Sequence, residues 1–141
     1  MLDFHGHTQE FFSGLTEAQI CYRYAVNKWS IKEIVGHLID SERVFAYRAL
    51  RFARKDQTAL HGYDEDLFAA NSNAHDRAWK DLLKEFYFTR NSTIELFKSF
   101  THEMLDYVGF ADEKKMSVRA IGYIILGHEV HHLQIIKERY I

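Results

Sequence analysis

The chain has 141 residues, 47% hydrophobic and 15% aromatic, and its 18 Lys and Arg against 20 Asp and Glu give a formal charge of −2. That length supports one domain with a sizeable core, and a balanced charge without a basic block disfavours a phosphate-neutralising nucleic-acid surface. No stretch approaches the roughly 18–20 apolar residues of a membrane span, and the opening Met1-Leu2-Asp3-Phe4-His5-Gly6-His7 lacks the basic-then-apolar order of a signal peptide.

Proline is absent and glycine occurs only seven times, so helix should dominate. Residues 2–13 predict a first, weaker helix ending near Gly14, and Thr16 with Gln19 can cap a short turn after it. The single cysteine, Cys21, excludes an internal disulfide, fits a reducing cytoplasm and is expected to act as a small buried hydrophobe. Ser30 and Glu33 form a capping box, in which each side chain satisfies an orphan backbone N–H. From there Ile31, Ile34, Val35, Leu38, Ile39, Phe45, Ala49 and Phe52 recur at helical spacing to about Arg54. Residues 55–75 form a long connection with one helical turn after Asp64, from Glu65 to Ala70. The acidic run Asp64-Glu65-Asp66 suits the positive end of that turn's dipole better than it suits a cation site.

A third helix follows from Trp79, Leu82, Leu83, Phe86, Arg90, Thr93, Ile94, Phe97 and Phe100, which keep a 3.6-residue period. The fourth starts after Ser117 and runs from Val118 to about Arg139, with Lys137 and Arg139 at its negative end. These segments predict an all-α fold over residues 1–141, a four-helix bundle with a short first helix. The long crossover allows the second and third helices to run parallel.

The fourth helix carries His128 and His132, four residues apart and therefore on one face, which also holds Ile121, Ile124, Ile125 and Ile135. That face should point inward, and two core-facing imidazoles are costly unless something satisfies them; a divalent metal does so. A catalytic zinc-type site uses three protein ligands and keeps a position open. His37 is the best third ligand, being the only other histidine placed mid-helix beside an apolar stripe. His131 competes with His132, because i and i+3 also share a face, but His132 lies on the His128–Ile135 row. The run His128-Glu129-Val130-His131-His132 also matches H-E-x-x-H, with Glu129 as general base. The zinc proteases with that motif need a further ligand downstream, and none of the nine residues after His132 is His or Asp. Glu129, about 100° around the helix from His128, is expected to be a solvent-facing or helix-packing charge, or to act behind a ligand.

Trp29-Ser30-Ile31-Lys32-Glu33-Ile34-Val35-Gly36-His37-Leu38-Ile39-Asp40-Ser41-Glu42-Arg43, with Gly127-His128-Glu129-Val130-His131-His132 and Ile136-Lys137-Glu138-Arg139-Tyr140, resembles the DinB-like (YfiT-like) metalloprotein superfamily. The resemblance runs from about residue 25 to the C-terminus, and the two histidine-bearing blocks are fairly specific in combination. It implies an up-down-down-up four-helix bundle, often a homodimer, with a divalent metal on His37, His128 and His132. The first helix is shorter than the resemblance leads one to expect. Its members include transferases that activate a low-molecular-weight thiol at the metal. The implied function is thus a metal-dependent thiol transferase or a related hydrolase acting on a small molecule. The alternative is a non-enzymatic, stress-linked metalloprotein whose metal stabilises the bundle. Three imidazoles suit Zn or Ni foremost, with Fe, Cu and Mn as further options. Arg90, a permanent cation in the third helix's apolar stripe, is the candidate to bind an anionic substrate or cofactor group, its other reading being a structural pair with a carboxylate. Arg48 should sit at a solvated helix end, while Tyr63 and Tyr123 could line a pocket.

Overall fold

In a computed structural model, residues 2–141 are described, with side chains from His5 onward. The elements are α1 (Leu2–Ser13), α2 (Glu17–Cys21), α3 (Ile31–Ala53), α4 (Glu65–Asn71), α5 (Trp79–Lys98), α6 (His102–Asp106), β1 (Val108–Ala111), β2 (Lys114–Ser117) and α7 (Val118–Arg139). Caps mark the starts. Ser30 Oγ accepts from Glu33 N while the Glu33 carboxylate accepts from Ser30 N at 2.7 Å, and Thr16 with Gln19 closes the same reciprocal box at α2. Asp64 caps α4 and Ser117 caps α7 through their side-chain oxygens.

Helix directions follow from which ends touch. Ser30 Oγ meets His75 Nδ1 at 3.0 Å just before α5, and further along Arg43 pairs with Glu85 and Glu42 with Arg90, so α3 and α5 are parallel. Tyr140 donates its hydroxyl to Trp29 O at 2.6 Å while His37 faces His128, so α7 runs against α3. Trp79 Nε1 donates to Phe12 O while His5 packs on Phe86, so α1 runs against α5. The bundle is up-down-down-up.

Two apolar clusters form the core. One joins Phe12, Ile31, Val35, Leu38, Leu82, Phe86 and Ile136; the other joins Ala49, Phe52, Ala111, Val118, Ile121 and Ile125. Each such large side chain contributes roughly 1.5–3 kcal/mol on full burial. Between the clusters, at the middle of α3, α5 and α7, lie buried Glu42, Arg90 and Glu129. Helical periodicity gave no sign of the antiparallel β1–β2 hairpin that leads into α7. Its turn residues, Asp112 and Glu113, hold φ of 50° and 60°, a conformation usually signalled by Asn-Gly rather than Asp-Glu. Gly109 in β1 lies flat on Phe52, whose ring carbon would stand 2.0 Å from any added Cβ. Cys21 departs from its expected burial: it is partly exposed, with Sγ 3.4 Å from Glu17 Oε1. Slight burial and that carboxylate both raise the thiol pKa. Among the described residues no helix is long and apolar enough to cross a membrane.

Candidate metal centre

α3 and α7 bring the three expected histidines together. His128 Nε2 stands 3.0 Å from His37 Nε2 and 3.1 Å from His132 Nε2. One ligand atom from each ring lies within 4.8 Å of the others, and this is the one such three-residue group among the described residues. His131 is exposed and does not join this group; its ring packs edge-on against His132, with centroids 5.3 Å apart. The pair does not sit at the centre of α7's buried face, as its isoleucine neighbours suggested. The row Ile125, Glu129, Leu133, Ile136 is the buried one, whereas Ile124 is 37% exposed and both histidines keep some exposure. The centre therefore lies at the flank of the core, with His37, 3% exposed, behind it.

The donor set fits a cation. An imidazole nitrogen has one in-plane site, either a lone pair or a proton, so His128 Nε2 cannot form good hydrogen bonds to both neighbours at once. A metal ion accepts all three lone pairs. With M–N bonds of about 2.0–2.1 Å, tetrahedral ligand atoms stand about 3.3 Å apart, close to the 3.0 and 3.1 Å between His128 and its two neighbours, while the third pair lies within 4.8 Å. Trp29 packs on the His37 ring at 4.8 Å between centroids, and Ser41 Oγ lies 3.3 Å from its Nδ1.

Electrostatics keep these rings neutral. Burial, then the charge that His128 would carry, pushes His37 down to about 4; burial and its three histidine neighbours push His132 down to about 3; burial and His131 lower His128. Neutral imidazole is the metal-binding form. A pH dependence follows for the metal-free protein. An unfolded histidine titrates near 6.5, so on acidification the unfolded chain takes up protons that the folded one refuses. Stability is therefore expected to fall as pH drops from about 6.5 towards 4.5, before most carboxylates titrate. Urea midpoints at pH 7.5 and 5 check this, and His132→Asn should flatten part of the slope; a midpoint indifferent to pH would contradict it.

Behind the histidines lies a buried charge cluster that sequence reasoning only half anticipated. Arg90, expected as an anion-binding group, is 1% exposed; its Nε and Nη2 donate to Glu42 Oε1 and Oε2 at 2.8 and 3.0 Å. Its Nη1 stands 2.6 Å from Glu129 Oε2, a close ion contact. Glu129 is thus neither solvent-facing nor aimed at the histidines as a general base would be; it is 1% exposed, with His5 Nδ1 3.9 Å from its Oε1. Burial alone would raise the Glu129 pKa, but His5, Arg90 and Thr8 outweigh it and hold it below the usual carboxylate value. The signal was available: Glu129 occupies the i+4 position from Ile125 and the i−4 position from Leu133. Arg48 is likewise buried, not solvated, and donates to His61 O at 3.2 Å.

A cavity of about 230 Å³ reaches His132 and is walled by Tyr24, Trp29, Ile135 and Tyr140, with Asn27, Lys28 and Asp66 as its polar groups. Tyr63 touches the centre through Ser41, its hydroxyl 2.7 Å from Ser41 Oγ, whereas Tyr123 is 71% exposed.

Comparison with known proteins agrees with this architecture. YfiT from Bacillus subtilis, described as a probable metal-dependent hydrolase with an unusual four-helix bundle topology, superposes with a TM-score of 0.79 at 16% identity, covering 96% of this chain and 81% of YfiT. No curated protein sequence matches the chain. The family model of the DinB superfamily matches residues 5–136, which include all three histidines and the charge cluster, and the chain belongs to that superfamily.

Proposed function

We propose that this protein is a divalent-metal-dependent enzyme acting on a small molecule, as a hydrolase or as a transferase using a low-molecular-weight thiol, with His37, His128 and His132 as the metal's ligands. The observation that carries the reading is the convergence of three neutral imidazole nitrogens from two helices beside a cavity. Three protein ligands are the complement of a catalytic centre, and four that of a structural one; no fourth His, Cys, Asp or Glu joins the group among the described residues. When bound, a divalent metal lowers the pKa of a water or thiol at its open position. Zn²⁺ and Ni²⁺ suit the donor set best, with Fe, Cu and Mn as further candidates.

The chain's own residues supply the rest. Tyr24, Trp29, Ile135 and Tyr140 limit the substrate to a small molecule, and Asn27, Lys28 and Asp66 offer it polar contacts. Arg90 works behind the centre, holding α7 against α3, and not at the substrate. The description of YfiT supports the hydrolytic arm. A single cysteine, which allows no internal disulfide, fits a cytoplasmic protein, and the resemblance to DinB-like proteins points to a homodimer. Metal analysis of the purified chain, followed by assays with a panel of esters, amides and thiol–electrophile pairs, tests the reading. Turnover is expected from the metal-loaded protein and not from His37→Ala, even with metal added back. A loaded wild type inert across the panel would leave the ion a structural role only.

A further inference from the structure

We infer that Ser41 and Tyr63 are positioning residues of the metal centre: a hydrogen-bond relay through them to His37 Nδ1 selects the tautomer whose Nε2 lone pair faces His128 and His132. The inference rests on the metal reading above and concerns how this chain prepares its own ligand. A neutral imidazole has two tautomers, and only the one protonated at Nδ1 offers a lone pair at Nε2. His37 is 3% exposed and Ser41 is fully buried, so Nδ1 finds its partner in the Ser41 hydroxyl at 3.3 Å. A serine hydroxyl by itself is indifferent, since it can donate to Nδ1 or accept from it. Tyr63 supplies the other end of the relay: its hydroxyl lies 2.7 Å from Ser41 Oγ, and in the sense inferred here Ser41 donates to Tyr63 and keeps its lone pairs to accept from His37 Nδ1–H, the opposite sense giving the other tautomer.

The segment that brings Tyr63 here is braced on three sides. Arg48 holds the His61 carbonyl at 3.2 Å. Leu60 N donates to Phe110 O at 2.9 Å and Asp112 N to Leu60 O at 3.0 Å, which ties the segment to the hairpin. Phe68 of α4 packs on the Tyr63 ring with centroids 5.0 Å apart. A tyrosine so braced by α3, α4 and the hairpin sets its hydroxyl on Ser41, which ties the crossover to the centre.

Ser41→Ala and Tyr63→Phe test this in the full chain, with Zn²⁺ affinity read by chelator competition, histidine tautomers by ¹⁵N spectra, and metal-free melting as the control for folding. Ser41→Ala should weaken Zn²⁺ binding about 10–100-fold, the range for groups that orient a ligand histidine. Tyr63→Phe should weaken it in the same direction by less. In the metal-free wild type His37 should carry its proton on Nδ1, and in Ser41→Ala the tautomers should mix. Unchanged affinity in both variants, or a wild-type His37 protonated at Nε2, overturns the inference. If Ser41→Ala does not fold, Tyr63→Phe, at a partly exposed loop position, carries the same test. A wild type that binds no Zn²⁺ shows itself before any substitution is compared, and there the metal reading falls and the relay with it.

Discussion

Arg90→Ala is expected to destabilise the fold by about 3–5 kcal/mol, the range for removing one partner of a buried ion pair. The substitution deletes the cation that both Glu42 and Glu129 face, at sites where neither carboxylate reaches water. It also removes the largest of the fully buried side chains, so a cavity is added to the unpaired charge. Urea unfolding measures the loss, and a shift below about 1 kcal/mol would show that the cluster is held together by something else. Combining Arg90→Ala with Glu42→Gln and Glu129→Gln should recover part of the stability, because the amides are neutral. Arg90→Lys should fall between, since one ammonium cannot reproduce the fork that serves two carboxylates at once.

The second large effect is metal removal. A bound ion at about a thousand times its Kd stabilises the native state by about 4 kcal/mol, which for a domain of this size is on the order of 10–15 °C in Tm. Chelation of the loaded protein should lower Tm by that order and re-addition of Zn²⁺ or Ni²⁺ should restore it, while His37→Ala should show almost no metal-dependent shift. A wild type that melts identically with and without these ions would refute the metal centre. The two effects are separable: the Arg90 cluster acts with or without an ion, whereas the histidines favour folding only when a cation is present and oppose it at low pH when none is.

Much of this was legible in the amino-acid order. The Ser30–Glu33 and Thr16–Gln19 boxes and the period of the long helices placed α2, α3, α5 and α7 within a residue or two, because caps and apolar stripes are local signals. The histidine trio was legible for a different reason, namely that an i, i+4 pair needs a third partner and few mid-helix histidines were available. The hairpin was not, since its strands are four residues long and its left-handed turn uses Asp112 and Glu113, which carry no strong turn signal. Glu42, Arg90 and Glu129 were hardest to assign. Each alone reads as a surface charge or a functional group, and only tertiary packing of three helices shows that they neutralise one another.

The topology that sets α3 beside α7 also imposes an order in time. His37 and His128 are 91 residues apart, so no local segment contains the centre, and closing a loop of that length carries an entropy cost that the contact must first meet. Before the bundle closes, α7 by itself contributes His128 and His132 but not His37. The third ligand arrives when the bundle closes, and from then on the ion fastens the two halves of the chain together. Interactions completed after the folding barrier act on the rate of opening and not on the rate of closing. A metal seated here works as a latch on the finished bundle, prolonging the lifetime of the folded state without hastening its birth.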